Sequence, residues 1–272
     1  MKVSCFIFDL DGTLLNSENK ISEVDKNTLK KVSNSGIKVV VATGRSHLQI
    51  KEYIHDLGVS APVITCNGGQ IINIVTGEII YRKFISPEDV KAIIDASSKD
   101  GTDFLFYTPD CVYHAYSSER IKFFLEYNKT APKEFHVPIK PASQYPISEG
   151  YSNVLKILIH DKTEKIPQIE EKFNKSNTLT VVSSGKNLID VMPADTTKGS
   201  AVIELAKHLG VPISEVVAFG DSPNDETMLR AAGFSVAMGN AEGSVKKICS
   251  YITKSNDEFG ITYAINHILN EI

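Results

Sequence analysis

The sequence contains no Cys-x-x-Cys pair. Its four cysteines, Cys5, Cys66, Cys111 and Cys249, are widely spaced, which gives no disulfide framework and leaves reduced thiols as the expectation. No apolar run approaches the roughly 20 residues of a membrane span. The first apolar run is interrupted by Asp9 and Asp11, so it does not read as a signal peptide. Neither sign of charge dominates: 29 Lys and Arg stand against 33 Asp and Glu, a net charge of -4, with no basic cluster. Nothing therefore calls for a nucleic acid or an anionic membrane surface as partner. Internal repeats and low-complexity tracts are also missing. What is present is 42% hydrophobic residues over 272 positions, enough for a full core in one large domain or two smaller ones. The expectation is a soluble, cytoplasmic protein, with its oligomeric state left open.

The chain is organised around Phe6-Ile7-Phe8-Asp9-Leu10-Asp11-Gly12-Thr13-Leu14. Val3 to Phe8 reads as a buried strand of a parallel sheet. If the backbone stays extended, Asp9 and Asp11 point the same way at the strand's C-terminal end, where open α/β sheets bind ligands. Two adjacent acids repel, so they ask for a cation or a shared proton. For Asp-x-Asp alone, a solvated acidic turn is the competing reading.

Further along, Ser22 and Asp25 open a helix as a variant capping box, and Gly36 suits its stop. Ile37–Ala42 is a second strand, ending on Thr43-Gly44-Arg45. Ser46 is expected to cap a helix through Leu57, and Val63–Thr65 to form a third strand before Asn67-Gly68-Gly69. This is a βαβαβ rhythm. Then it changes. Hairpin runs surround Thr76-Gly77, Pro87 opens a helix, and extended runs cover Asp103–Tyr107 and Cys111–Tyr116. A helix over Glu119–Tyr127 is followed by a loop-rich excursion from Lys129 to Gly150. A strand over Tyr151–His160, a helix over Pro167–Asn174 and a hairpin about Ser184-Gly185 complete this middle part. The first rhythm resumes at Lys198, with a strand at Val216–Phe219 leading to Gly220-Asp221 and a helix from Asn224. The fold class is therefore α/β: a doubly wound, Rossmann-like parallel sheet from residues 1–83 and 190–272, with an α+β domain inserted at 84–189.

DLDGTL resembles the first motif of the haloacid dehalogenase-like hydrolases. Val40–Arg45, Thr197-Lys198-Gly199 and Phe219–Asp225 resemble the later motifs, in order. The likeness is greatest to the Cof-type phosphatases, which have a large α/β cap, and extends to Asn67-Gly68-Gly69, Ala237–Ala241, Thr253 and Gly260. The middle third is unmatched. The resemblance implies Mg²⁺-dependent hydrolysis of a small phosphorylated metabolite through an aspartyl-phosphate. Asp9 would be the nucleophile and Asp11 the acid and base. Asp9 and Asp221 would ligate the ion through side chains and Asp11 through its carbonyl, with Asp225 acting through water or holding the ligand shell. An all-oxygen site without nearby His or Cys favours Mg²⁺ over Zn²⁺.

Thr43 and Gly44 suit a phosphate oxygen, although a plain βα turn uses the same residues. Lys198 opposes its helix dipole, which hints at neutralising the phosphoryl group and Asp9. Asn224 reads either as a phosphate donor or as a helix cap. Arg45 reads as a structural ion-pair partner, and Asn67-Gly68 as a tight turn touching substrate. His114, Tyr116 and Arg120 are the middle-segment residues that could face substrate. Two rivals remain at this level: a phosphomutase of related fold, and a non-catalytic metabolite-binding regulator.

Overall fold

The computed structural model of the protein describes residues 2–58, 61–115, 118–146, 148, 150–185 and 187–270. It divides into two compact units, one of 1–43, 52–81 and 197–272, the other of 44–51 and 82–196.

In the first unit β1 (Cys5–Phe8) is buried at every position, as a parallel strand covered on both faces must be. It leads through α1 (Glu23–Asn34) to β2 (Lys38–Val41). Ser22 caps α1 by accepting from the Asp25 amide, with Glu23 and Asp25 in the first turn where the helix dipole favours acids. The helix expected from Ser46 is broken: His47–Gln49 is a 3₁₀ turn, and α2 (Lys51–Leu57) begins only after Ile50. β3 (Val63–Thr65) also departs from the βαβαβ reading. It lies beside β2 through a parallel bridge from Ala42, just past that strand, to Ile64, and its ladder is antiparallel with β4 (Gln70–Ile72), beside β5 (Ile79–Arg82). Periodicity could not reveal this, because a short buried run looks alike in either sheet.

The second unit begins its main run with α3 (Pro87–Asp100), capped by Ser86 and ended by left-handed Gly101. There follow β6 (Asp103–Tyr107), β7 (Val112–His114), α4 (Ile121–Thr130), β8 (Ile139–Pro141), β9 (Lys156–His160), α5 (Ile166–Asn174), β10 (Leu179–Gly185) and β11 (Leu188–Pro193). The expected excursion at 129–150 thus contains a strand, β8, which lies parallel to β7. The sheet order is β10-β11-β9-β6-β7-β8. Alternation along β6 divides the core. Phe104 and Phe106 pack with Val90, Ile93 and Ile166, whereas Leu105 and Tyr107 pack with Phe124, Val137 and Leu48. Because β11 pairs on both sides within this sheet, residues 190–196, expected with the sheet core, group with the inserted unit.

The chain returns to the first unit with α6 (Lys198–Leu209), β12 (Val216–Gly220), α7 (Glu226–Ala231), β13 (Phe234–Ala237), α8 (Gly243–Lys246), β14 (Tyr251–Ile252) and α9 (Gly260–Asn270). The main sheet is wholly parallel, in the order β14-β13-β12-β1-β2. Successive connections run outward from β1 on one side and from β12 on the other. The adjacent C-terminal ends of β1 and β12 therefore form a topological switch point, where such sheets bind ligands. Phe8 and Phe219 lie on these two strands, with ring centroids 4.7 Å apart directly beneath those ends.

Candidate active site

Asp9 follows β1 directly, and its amide donates to the Phe219 carbonyl at 3.0 Å, which carries the β1–β12 ladder one residue further. The chain then turns, with the Leu14 amide bonding back to the Asp9 and Leu10 carbonyls. Asp11 pairs with Leu15 in an isolated bridge as the chain turns, and it is exposed. Its charge is nonetheless near enough to raise the Asp9 pKa. Gly12 has φ +81°, and a Cβ there would lie 2.5 Å from Asp221 Oδ2, so only glycine lets the loop approach β12 so closely.

At the end of β12, Asp221 accepts from Thr13 Oγ1 at 2.8 Å and from Ser222 Oγ at 2.9 Å. One oxygen of Asp225 accepts from the Asp221 and Ser222 amides at 2.9 and 3.1 Å. Ser222, not Asn224, caps the short turn in which Asp225 lies. Gly220 is again a place of close approach, since a Cβ would stand 2.7 Å from that of Asp225.

Lys198 joins these elements. Its Nζ is 2.5 Å from Asp9 Oδ1 and 2.6 Å from Asp225 Oδ1, with the lysine side chain fully buried. Thr197 caps α6 by accepting from the Ser200 amide, which fixes Lys198 as the first helical residue. Two contacts hold the helix start: a Cβ on Gly199 would be 2.3 Å from the Thr227 carbonyl oxygen, and one on Gly68 2.2 Å from that of Thr197.

Among the described residues, Asp9, Asp221 and Asp225 each offer a carboxylate oxygen, all within 4.8 Å of one another, as a group that can hold a metal ion. Burial, then the charge of Asp225, push the Asp9 pKa well above the usual carboxylate range, and Lys198 only partly opposes this. Burial and Asp225 likewise raise Asp221 to about 6. Lys198 itself is held above its ordinary value, because Asp225 and Asp9 outweigh its burial. One buried cation is therefore insufficient for three acids, and a hard divalent ion fits both the oxygen donors and the excess charge.

Of the remaining expected residues, Thr43, Asn67 and Asn224 form a chain of contacts. Thr43 is buried at the end of β2, its amide donating to the Ile64 carbonyl and its carbonyl accepting from the Asn67 amide at 3.1 Å. Asn67, in the left-handed region with φ +52°, accepts from Asn224 Nδ2 at 3.4 Å. Gly44 groups with the second unit, and its carbonyl accepts from Lys156 Nζ at 2.7 Å. Arg45, next in sequence, is half-buried. In the second unit, His114 Nδ1 faces the Ala115 carbonyl at 2.7 Å, and Arg120 precedes α4 with its amide toward Asp103. Tyr116 falls outside the described residues.

Sequence reasoning missed the residues that tie the loop down. Asn240 donates to the Gly12 carbonyl at 2.8 Å and accepts from the Asn256 amide, while Asn256 Nδ2 donates to the Leu15 carbonyl at 2.8 Å. Thr13 and Asn240 lay within motifs already singled out, but Asn256 carried no local signal.

The profile of the haloacid dehalogenase-like hydrolases matches residues 6–265. The chain belongs to this family. Among curated relatives of this haloacid dehalogenase-like hydrolase is the 5-amino-6-(5-phospho-D-ribitylamino)uracil phosphatase YwtE of Bacillus subtilis. It is 34% identical, over 98% of this chain and 99% of its own length. A solved haloacid dehalogenase-like hydrolase from B. subtilis is 28% identical with a TM-score of 0.86, over 98% of this chain and 100% of that one. A solved sugar phosphatase of subclass IIB is 26% identical with a TM-score of 0.82, over 98% and 99% of the two chains. The motifs and these relatives make the chain a phosphatase of the Cof type. No described helix is long and apolar enough to cross a membrane.

Proposed function

We propose that this phosphatase hydrolyses small phosphorylated metabolites, sugar or polyol phosphates among them, in the cytoplasm, using Mg²⁺ and an aspartyl-phosphate on Asp9. The observation that carries the reading is the bridge from Lys198 Nζ to buried Asp9 and Asp225, in a group of three acids completed by half-buried Asp221. A purely structural ion pair would be neutral overall, whereas this cluster has an excess of negative charge beside an exposed fourth acid, Asp11.

Asp9 and Asp221 would hold the ion by their side chains and Asp11 by its carbonyl. Both oxygens of Asp225 already serve Lys198 and two amides, so its part is to hold Asp221 and Lys198 in place. When bound, Mg²⁺ supplies positive charge that keeps Asp9 ionised and draws in the phosphoryl oxygens. Asp9 attacks phosphorus, forming the Asp9 O–P bond as the bond from phosphorus to the leaving oxygen breaks, and Asp11 gives that oxygen its proton. Asp11 then takes a proton from water, whose oxygen attacks phosphorus and releases Asp9 and inorganic phosphate. Lys198 stabilises the charge on the phosphoryl group, while Thr43, Gly44 and Asn224 receive its oxygens.

The unit of residues 1–43, 52–81 and 197–272 would form the catalytic domain, and the inserted unit of 44–51 and 82–196 a cap that sets specificity. The relative named for 5-amino-6-(5-phospho-D-ribitylamino)uracil makes that compound a first candidate substrate. The test is a screen of phosphorylated metabolites with Mg²⁺, reading free phosphate. Mg²⁺-dependent release from at least one small monoester is expected. Isomerised sugar phosphate without release, or no turnover of any, would sink the proposal.

A further inference from the structure

The second unit contains a buried ion pair that the reaction does not consume. Lys156 on β9 and Asp190 on β11 are 4% and 2% exposed, with Nζ 2.9 Å from the Asp190 carboxylate. Lys156 Nζ also lies 4.8 Å from the centre of the Tyr107 ring, its direct partner on β6. Its third contact is the Gly44 carbonyl oxygen, at 2.7 Å. The ammonium is thus surrounded by one carboxylate, one ring face and one backbone carbonyl.

A pair so placed is not explained by stability. Desolvating two charges costs about as much as their attraction returns, and apolar residues of the same volume often serve as well or better. What a hydrophobic pair cannot do is grip a carbonyl. The gripped residue is informative: Gly44 is bonded directly to Thr43. Thr43 is already fixed on its other side, by the Ile64 carbonyl and the Asn67 amide. Leu48, four residues after Gly44, packs on the same face of the second unit's sheet as Tyr107 and Leu158. The segment 44–51 is therefore anchored by an apolar contact at Leu48 and a charged one at its first residue.

We propose that the Lys156–Asp190 pair is a positioning device: Asp190 orients the Lys156 ammonium, which fixes the Gly44 carbonyl and with it the orientation of the Thr43–Gly44 turn toward the phosphoryl group. Neither residue touches substrate. The inference rests on the reading of Thr43 and Gly44 as phosphate-binding. Its consequence is a uniform one. Loss of the grip weakens binding of the phosphoryl group whatever it is attached to, because misplacement of a binding group by about 1 Å can cost up to 10²-fold.

The experiment uses the full chain with Mg²⁺ and compares Lys156→Met/Asp190→Leu with wild type, reading melting temperature, competitive inhibition by inorganic phosphate, and kcat/KM for an aryl and an alkyl phosphate. Melting temperature shows whether the double variant is folded. Its inhibition constant for phosphate should rise about tenfold, and kcat/KM should fall by one common factor for both substrates. Lys156→Gln keeps the position polar but is too short to span Asp190 and Gly44 together. It should give a smaller rise of about threefold, and it carries the test if the double variant does not fold. A wild-type phosphate constant in either folded variant overturns the inference, as does a loss confined to one substrate. Thr43→Ala, run in parallel, separates the two readings. If it leaves phosphate inhibition unchanged, the reading of the turn itself fails, and this inference with it. If Thr43→Ala weakens inhibition and the Lys156 variants do not, only the positioning role fails.

Discussion

Lys198 Nζ lies 2.5 Å from Asp9 Oδ1, although 189 residues separate the two in sequence. The lysine is the first residue of α6 and the acid follows the first strand, so the bond closes the loop that contains the whole inserted unit. Desolvated on both sides, each group depends on the other for its charge. Replacing Lys198 by Met should leave Asp9 and Asp225 buried without their cation. Turnover is expected to fall by about 10²–10³-fold, the usual cost of losing one preorganised group that stabilises transition-state charge. Steady-state kinetics at saturating Mg²⁺ check this, and a loss below tenfold would remove Lys198 from the reaction.

Asp9 and Asp11 should separate by the step each controls. Asp9→Asn should form no phosphoenzyme, yet should melt at or above the wild-type temperature in EDTA, because it removes a carboxylate whose ionisation the metal-free fold opposes. Asp11→Asn keeps the nucleophile. With an aryl phosphate, whose leaving group needs little acid help, phosphoenzyme should accumulate, since base-assisted water attack is worth about 10²–10⁴-fold. The mass of the acid-quenched protein reads both outcomes. Equal trapping in the two variants would overturn the assignment.

The Mg²⁺ response should depend on pH through Asp221. Its folded pKa, about 6, is raised above the ordinary carboxylate value of roughly 3.9. Between those values the folded metal-free protein binds more protons than the unfolded chain, so this group's contribution to stability falls as pH rises from 4 to 6. Mg²⁺ should offset that loss at pH 7.5, raising the melting temperature, and its effect should fade as pH drops below 6. Asp221→Asn should lose most of the Mg²⁺ response and most activity. Thermal melts across pH with Mg²⁺ or EDTA are the measurement, and a pH-independent Mg²⁺ shift would count against the assignment.

Two glycines in the left-handed region should differ sharply on substitution. Gly36→Ala, at φ +93° with no atom within 4 Å, should cost only the conformational penalty of about 1 kcal/mol. Gly68→Ala, at φ +105°, also drives a methyl to 2.2 Å from the Thr197 carbonyl oxygen, at the cap that places Lys198. It should cost at least about 3 kcal/mol and depress activity in whatever fraction remains folded. Denaturant melts of the two variants compare them directly.

Much of the site was legible because its residues occupy local positions with a local signature. Asp9 and Asp221 follow all-apolar strands, and Lys198 follows a Thr cap, where a cation is out of place electrostatically. The order of motifs along the chain added the family. What escaped had no such signature. Asn256 is one polar residue in an exposed turn until its amide is seen on the Leu15 carbonyl. Lys156 alternates in a strand like any other residue, and nothing nearby in sequence announces Asp190 or Gly44.

The sequence by itself determined where α1, α3 and α6 begin, that one α/β layer is interrupted by another fold, and which acids lie at strand ends. These follow from side-chain period and cap chemistry, both confined to a few consecutive residues. Tertiary structure alone decided that β3 forms its ladder with β4, that Lys198 bonds both Asp9 and Asp225, and that both Asp225 oxygens are already occupied. Each of these depends on which distant group supplies the missing hydrogen-bond partner. A buried polar group must find one, and local pattern does not say where.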